Sequence, residues 1–163
     1  WLLGKYDLWS RYVPEEKAVA IFYGSMYGNT ENAAELLASR LSQAGVQNVA
    51  MYDVSCTHVS YLISEIFRCS TIVFACPTYN MGIYPAMHNL LHDMKALGLG
   101  CRTAAVLENG SWACASGKLI RQQLAEMKNM TVLEPGLKLA SSLKDCQAPE
   151  LDAMVQAVAQ SLQ

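Results

Sequence analysis

Residues 18–30 read AVAIFYGSMYGNT, and a helical pattern, ENAAELLASRLSQAG, follows directly. The apolar run Ala18 to Tyr23 fits a strand buried on both faces of a sheet, as in parallel sheets covered by helices. The turn after it, Gly24 to Thr30, holds two hydroxyls (Ser25 and Thr30), an amide (Asn29), two glycines and no cation. A helix N-terminus exposes unpaired N–H groups and a positive partial charge, so it binds anions without Lys or Arg. Ser25, Asn29 and Thr30 add side-chain donors, and Gly28 lets backbone approach a ligand closely. The stretch suits a terminal phosphate monoester held by dipoles.

The same alternation runs through the chain. Apolar runs at Ala18–Tyr23, Val49–Tyr52, Thr71–Cys76, Thr103–Leu107 and Thr131–Leu139 predict five strands, the last broken by Pro135 and Gly136. Between them lie helical stripes: Ala34/Leu37/Leu41/Ala44, Val59/Leu62/Ile63/Ile66, Met87/Leu90/Leu91/Met94/Leu97 and Ile120/Leu124/Met127. A last stripe, Leu151/Met154/Val155/Val158/Leu162, follows Pro149. Strand and helix alternating in this way imply an α/β, doubly wound, five-stranded parallel sheet with helices on both faces. Ligands of such sheets sit beyond the carboxyl ends of the strands. Residues 1–16, WLLGKYDLWSRYVPEE, stand outside the pattern as an aromatic-rich leader, so the domain proper is expected to span 17–163.

Composition narrows the function. The chain has 163 residues, 52% hydrophobic and 16% charged, enough for one domain with a full core. The net charge is −2, and no basic stripe points to nucleic acid. No apolar run approaches the roughly 20 residues of a membrane span. The six cysteines (56, 69, 76, 101, 114 and 146) lack metal or redox spacings, and a domain with this core needs no disulfides. A reducing, cytoplasmic setting is expected. The chain starts at Trp1 rather than Met, as a fragment or a processed chain would.

Three polar, glycine-bearing loops follow strands one, three and four: GSMYGNT, PTYNMGIYP (77–85) and ENGSWACASG (108–117). Other anion motifs fail on the first loop. No Lys follows it as a P-loop requires, the dinucleotide pattern G-x-G-x-x-G is absent, and tyrosines replace the glycines of a serine-hydrolase elbow. An acidic cluster after strand one, which a phosphorelay receiver needs, is also missing.

Ser25-Met26-Tyr27-Gly28-Asn29-Thr30 resembles the [ST]-x-[TY]-G-x-T phosphate loop of the flavodoxin family, which binds FMN. With PTYNMGIYPAM after strand three, a Trp-bearing loop after strand four and the leader WLLGKYDLWSRY, the whole chain is similar to one branch. That branch is the C-terminal flavodoxin-like domain of flavodiiron proteins (A-type flavoproteins). The resemblance implies strand order 2-1-3-4-5 and noncovalent FMN. It implies that Ser25, Met26, Tyr27, Gly28, Asn29 and Thr30 hold the phosphate. Pro77, Thr78, Tyr79, Asn80, Met81 and Gly82 would line one side of the flavin ring. Glu108, Asn109, Gly110, Ser111, Trp112 and Ala113 would line the other. The family's third loop runs close to G-S-x-G-W-S-G-G, so Trp112 matches while Glu108, Asn109 and Cys114 depart.

The resemblance further implies a partner. The family's diiron site, which reduces O2 or NO, lies in a metallo-β-lactamase-like domain whose H-x-E-x-D-H pattern is absent from these residues. This chain would then be the electron-entry module, an oxidoreductase component with no catalytic residue of its own. Its electrons would come from a rubredoxin-like or NAD(P)H-linked donor. The family pairs head to tail, so a homodimer is an open expectation. Two other readings stay open: a stand-alone FMN-dependent NAD(P)H reductase, and a domain that kept the fold, lost the flavin and serves as an interaction surface.

Tyr79 and Trp112 together offer stacking surface worth about 0.5–1.5 kcal/mol beyond burial. An ionised Glu108 near the ring would lower the potential for the second electron. Gly82 could let its peptide reorient. His88 and His92 lie one turn apart but lack the Glu of H-E-x-x-H, so they read as a solvated helix face, with no metal site expected. Cys114 reads as inert and Asp53 as a turn residue.

Overall fold

The computed structural model describes all of residues 1–163. In chain order the elements are α1 (Leu2–Ser10), β1 (Glu16–Tyr23), α2 (Asn29–Gln43), β2 (Val49–Asp53), α3 (Val59–Arg68), β3 (Cys69–Tyr79) and β4 (Gly82–Ile83). They continue with α4 (Pro85–Ala96), β5 (Thr103–Asn109), α5 (Ser116–Ala125), β6 (Thr131–Val132), β7 (Leu137–Leu139) and α6 (Ala148–Gln160). The sheet order is β2-β1-β3-β5-β6, with β7 also beside β5 and every one of these pairs parallel. Counted as five parallel strands, the order is the 2-1-3-4-5 expected from the resemblance. The fifth strand is split where Glu134, Pro135 and Gly136 intervene, because proline cannot donate to the ladder.

Alternate residues of each strand face opposite layers. Ala18, Ala20 and Phe22 of β1 join Ile72, Phe74 and Cys76 of β3 under α3, α4 and α5. Val19 and Ile21 join Val73, Ala75, Ala105 and Leu107 under α2 and α6. Both faces are therefore covered, which explains the unbroken apolar runs.

Three features go beyond the sequence reading. The leader forms a helix, α1, that buries none of its residues. It is tied down near its end: Trp9 Nε1 donates to Glu15 at 2.6 Å, Lys5 pairs with Glu15, and the Tyr12 ring stacks on Phe67 at 6.0 Å. Second, β3 overruns its predicted end and turns back as β4 through Asn80 and Met81. Both have positive φ (47° and 61°), as the two central residues of a type I′ hairpin turn require. The left-handed backbone of this loop thus falls on Asn80 and Met81 rather than on Gly82. Third, Arg102 is 2% exposed and donates to the carbonyls of Tyr12, Ile66, Phe67, Gly100 and Cys101, with no carboxylate among its partners. The carbonyl ends of α3 accept much of its charge. No helix is long and apolar enough to cross a membrane.

Candidate functional site

Two helix N-termini meet at the carboxyl end of the sheet, and the chain treats them differently. At α5, Thr78 Oγ1 accepts the N–H groups of Ala115 (3.0 Å) and Ser116 (3.2 Å), and Glu108 Oε2 accepts that of Gly117 (3.0 Å). That end is satisfied by side chains reaching over from β3 and β5. At α2, the first closed bond runs from Asn32 N to Gly28 O at 2.9 Å, and Asn29, Thr30 and Glu31 direct their N–H groups at no protein acceptor. Of these two ends, α2 is thus the one left open to an anion.

The turn that opens α2 is built for this. Gly28 has φ of 84°, left-handed backbone that suits glycine, and its N–H donates to Ser25 Oγ at 3.0 Å. Gly24 extends the ladder by donating to Ala75 O, and a Cβ there would stand 2.7 Å from Tyr84 Cδ1. Tyr84 therefore packs against the bare backbone at Gly24. It meets Tyr79 edge-on at 6.5 Å and hydrogen-bonds Ser55 at 3.1 Å, bracing the second loop.

The cleft between the loops is lined by Ser25, Tyr27, Thr30, Pro77, Asn109 and Ser141, among others, and encloses about 90 Å³. That volume suits a small anion, and the cleft opens outward at its rim. Large side chains stand bare around that rim: Trp112 is fully exposed, Tyr27 is 90% exposed and Met81 67%. Exposed apolar groups clustered at one rim mark a contact surface. A larger hollow of about 290 Å³ lies on the flank between α2 and α6, bordered by Leu36, Arg40 and Lys144. It adjoins the cleft at Asn29 and runs from there and Ser142 down the helices to Leu151, with no aromatic side chain in its lining.

The structure brings Ser25, Met26, Tyr27, Asn29, Thr30, Pro77, Thr78, Asn109, Gly110 and Ser111 to the cleft. Tyr79, Asn80, Met81 and Gly82 form the hairpin bordering it, and Trp112 and Ala113 the exposed tip of the third loop. Glu108 stands apart. Its carboxylate turns under α5 toward Gly117, in a hollow shared with Arg121 and Lys138. A charge so placed caps a helix and does not face the cleft. Two participants escaped the sequence reading. Ser141 follows the split fifth strand, at a strand carboxyl end of the kind where ligands of such sheets sit. Tyr84 sits within the quoted second loop, but its packing partner Gly24 is far off in sequence.

The Tyr23 phenol and the Cys114 thiol are both kept in their neutral forms. Burial pushes the Tyr23 phenol up to about 12, helped by its bond to Glu31 at 3.1 Å. That bond also holds the Glu31 carboxylate to one side of the α2 N-terminus. Burial raises the thiol pKa of Cys114, whose Sγ donates to the Leu139 carbonyl at 3.3 Å and so braces the third loop. Neither thiol burial nor bonding favours a reactive thiolate there. All six cysteines are free.

An open parallel sheet whose first turn leaves a helix N-terminus bare at the switch in strand order defines the flavodoxin class of α/β domain. The chain belongs to the flavodoxin family, whose family model matches residues 21–152. It is 28% identical over 158 residues to rubredoxin-oxygen oxidoreductase of Megalodesulfovibrio gigas, covering 97% of this chain and 39% of that one. The solved structure of rubredoxin oxygen:oxidoreductase from Desulfovibrio gigas superposes with a TM-score of 0.88 at 26% identity over 98% of the chain. The flavodiiron protein of Giardia intestinalis does so at 0.84 with 20% identity, a likeness of fold covering 98% of this chain and 39% of that one. The chain therefore spans about two fifths of the length of these relatives.

Proposed function

We propose that the chain binds FMN noncovalently and serves as the electron-entry module of a flavodiiron-type O2 or NO reductase. The observation that carries this reading is the contrast between the capped α5 end and the open α2 end, with bare aromatic side chains on the adjoining rim. FMN, when bound, supplies the capacity to take up and release electrons singly. The chain's residues do the rest. The N–H groups of Asn29, Thr30 and Glu31 and the nearby hydroxyls receive the phosphate dianion, which a helix N-terminus favours. Pro77, Gly110 and Ser111 confine the polyhydroxyl chain. Tyr79 and Trp112 offer planes for a flat ring and shield it from water.

Glu108 adds no charge beside the ring, so any lowering of the second-electron potential would come from desolvation and stacking. The partner of this module would be a diiron domain of the metallo-β-lactamase type, and its electron donor rubredoxin-like, as the names of the relatives suggest. Stopped-flow mixing of the FMN-loaded chain with reduced rubredoxin tests the role. Bleaching of the flavin within milliseconds to seconds supports it. A flavin that rubredoxin leaves oxidised, but that NADPH reduces steadily, would favour a stand-alone reductase instead.

A further inference from the structure

We propose that Asn109 is a positioning residue that turns the Thr30 hydroxyl into a proton donor toward the cleft and fixes the Ser141 backbone, and that Ser141 is a further ligand for the phosphate end of the cofactor. This rests on the FMN reading above.

Asn109 is 6% exposed and every group on its amide is engaged. Its Oδ1 accepts the Ser141 N–H at 3.1 Å, and its Nδ2 donates to the Ser141 carbonyl at 2.8 Å and to Thr30 Oγ1 at 3.2 Å. The orientation of this amide is not interchangeable, because a backbone N–H can only donate and a carbonyl can only accept. Both Nδ2 protons are therefore committed, and Thr30 Oγ1 must act as the acceptor. Its own proton finds no acceptor in the protein, although Thr30 is only 2% exposed. It is left to point at whatever occupies the cleft.

The Ser25 hydroxyl repeats the pattern: its Oγ accepts the Gly28 N–H at 3.0 Å and passes its proton to no protein acceptor. Ser141 Oγ pairs only with the side-chain amide of Asn29, at 3.3 Å, and stands exposed beside them. Thr30 and Ser25 thus take their acceptor bonds from the protein and keep their donors for a ligand. Together with the open N–H groups of α2 they form a donor set with no cation, suited to a phosphate dianion. Ser141 has φ of 75°, unusual for a residue with a side chain, and its two bonds to the Asn109 amide hold it there. Asn109 so joins the ends of β5 and β7 to the start of α2.

Titrations of the full chain with FMN and with riboflavin, which lacks the phosphate, test this. Ser141→Ala, at an exposed position, is expected to weaken FMN about fivefold or more while changing riboflavin less than about twofold. Asn109→Ala is expected to weaken FMN about tenfold. In a chain already carrying Thr30→Val, the same change is expected to cost less than about threefold, because the hydroxyl it orients is gone. Equal losses for FMN and riboflavin, or fully additive losses for Asn109→Ala and Thr30→Val, would overturn the inference. A native chain that retains no FMN overturns both readings at once, whereas additive losses overturn this one alone.

Discussion

Glu108 Oε2 accepts the Gly117 N–H at 3.0 Å and so closes, with Thr78, the N-terminus of α5. A carboxylate at a helix N-terminus stabilises through both the hydrogen bond and the dipole. Glu108→Ala is expected to cost about 1 kcal/mol of folding stability. FMN affinity should stay within about twofold of the native value, since the side chain faces away from the cleft. Urea denaturation and a flavin titration check the two halves, and a flavin-specific loss would return Glu108 to the cleft.

Trp112 presents the opposite case. Its side chain is fully exposed and makes no hydrogen bond with the protein. Trp112→Ala should leave stability within about 0.5 kcal/mol, as exposed substitutions do. Loss of a stacking plane worth about 1 kcal/mol should weaken flavin binding about fivefold. Flavin fluorescence titration measures it, and unchanged affinity would remove Trp112 from the ring contact.

Arg102 joins the leader to the domain. Burial disfavours its charge, and carbonyls of three segments compensate. Arg102→Met would leave buried carbonyls without donors, and the expected loss is about 3 kcal/mol. Hydrogen exchange should show α1 and the Tyr12 segment losing protection before the sheet does. Uniform loss across the domain would mean that Arg102 acts on the core rather than on the leader.

Tyr23 and Tyr52 both have phenol pKa values raised to about 12, first by burial and then by hydrogen bonds to Glu31 and Glu65. In the unfolded chain they return to their ordinary value of 10.0. The neutral phenols therefore contribute stability that is fully present below about pH 10 and is lost as pH rises through about 12. Tyr52→Phe should flatten this alkaline loss, as measured by denaturation at stepped pH. An unchanged alkaline slope would contradict the assignment.

Much of the layout was legible because it rests on local pattern. Continuous apolar runs such as Ala18–Tyr23 announce strands buried on both faces, and the first turn carries its own anion chemistry. Pro135 and Gly136 even mark the split in the fifth strand. What escaped depends on contacts across the fold. Nothing near Glu108 in sequence reveals that Gly117 will lie above it, or that Thr78 will spend its hydroxyl on α5. Asn109 departs from the family's third-loop pattern, and its meaning emerges only once Ser141 and Thr30 lie beside it. The helix α1 has no apolar stripe to announce it, since it buries nothing.

The measurement that bears most directly on the site is the visible absorption spectrum of the purified chain after mixing with FMN or riboflavin and desalting. Retained flavin bands with FMN, and far weaker retention of riboflavin, are the expected result for a cleft whose donors are aimed at a phosphate. Equal retention of both would contradict the phosphate cradle at α2, and retention of neither would contradict flavin binding altogether.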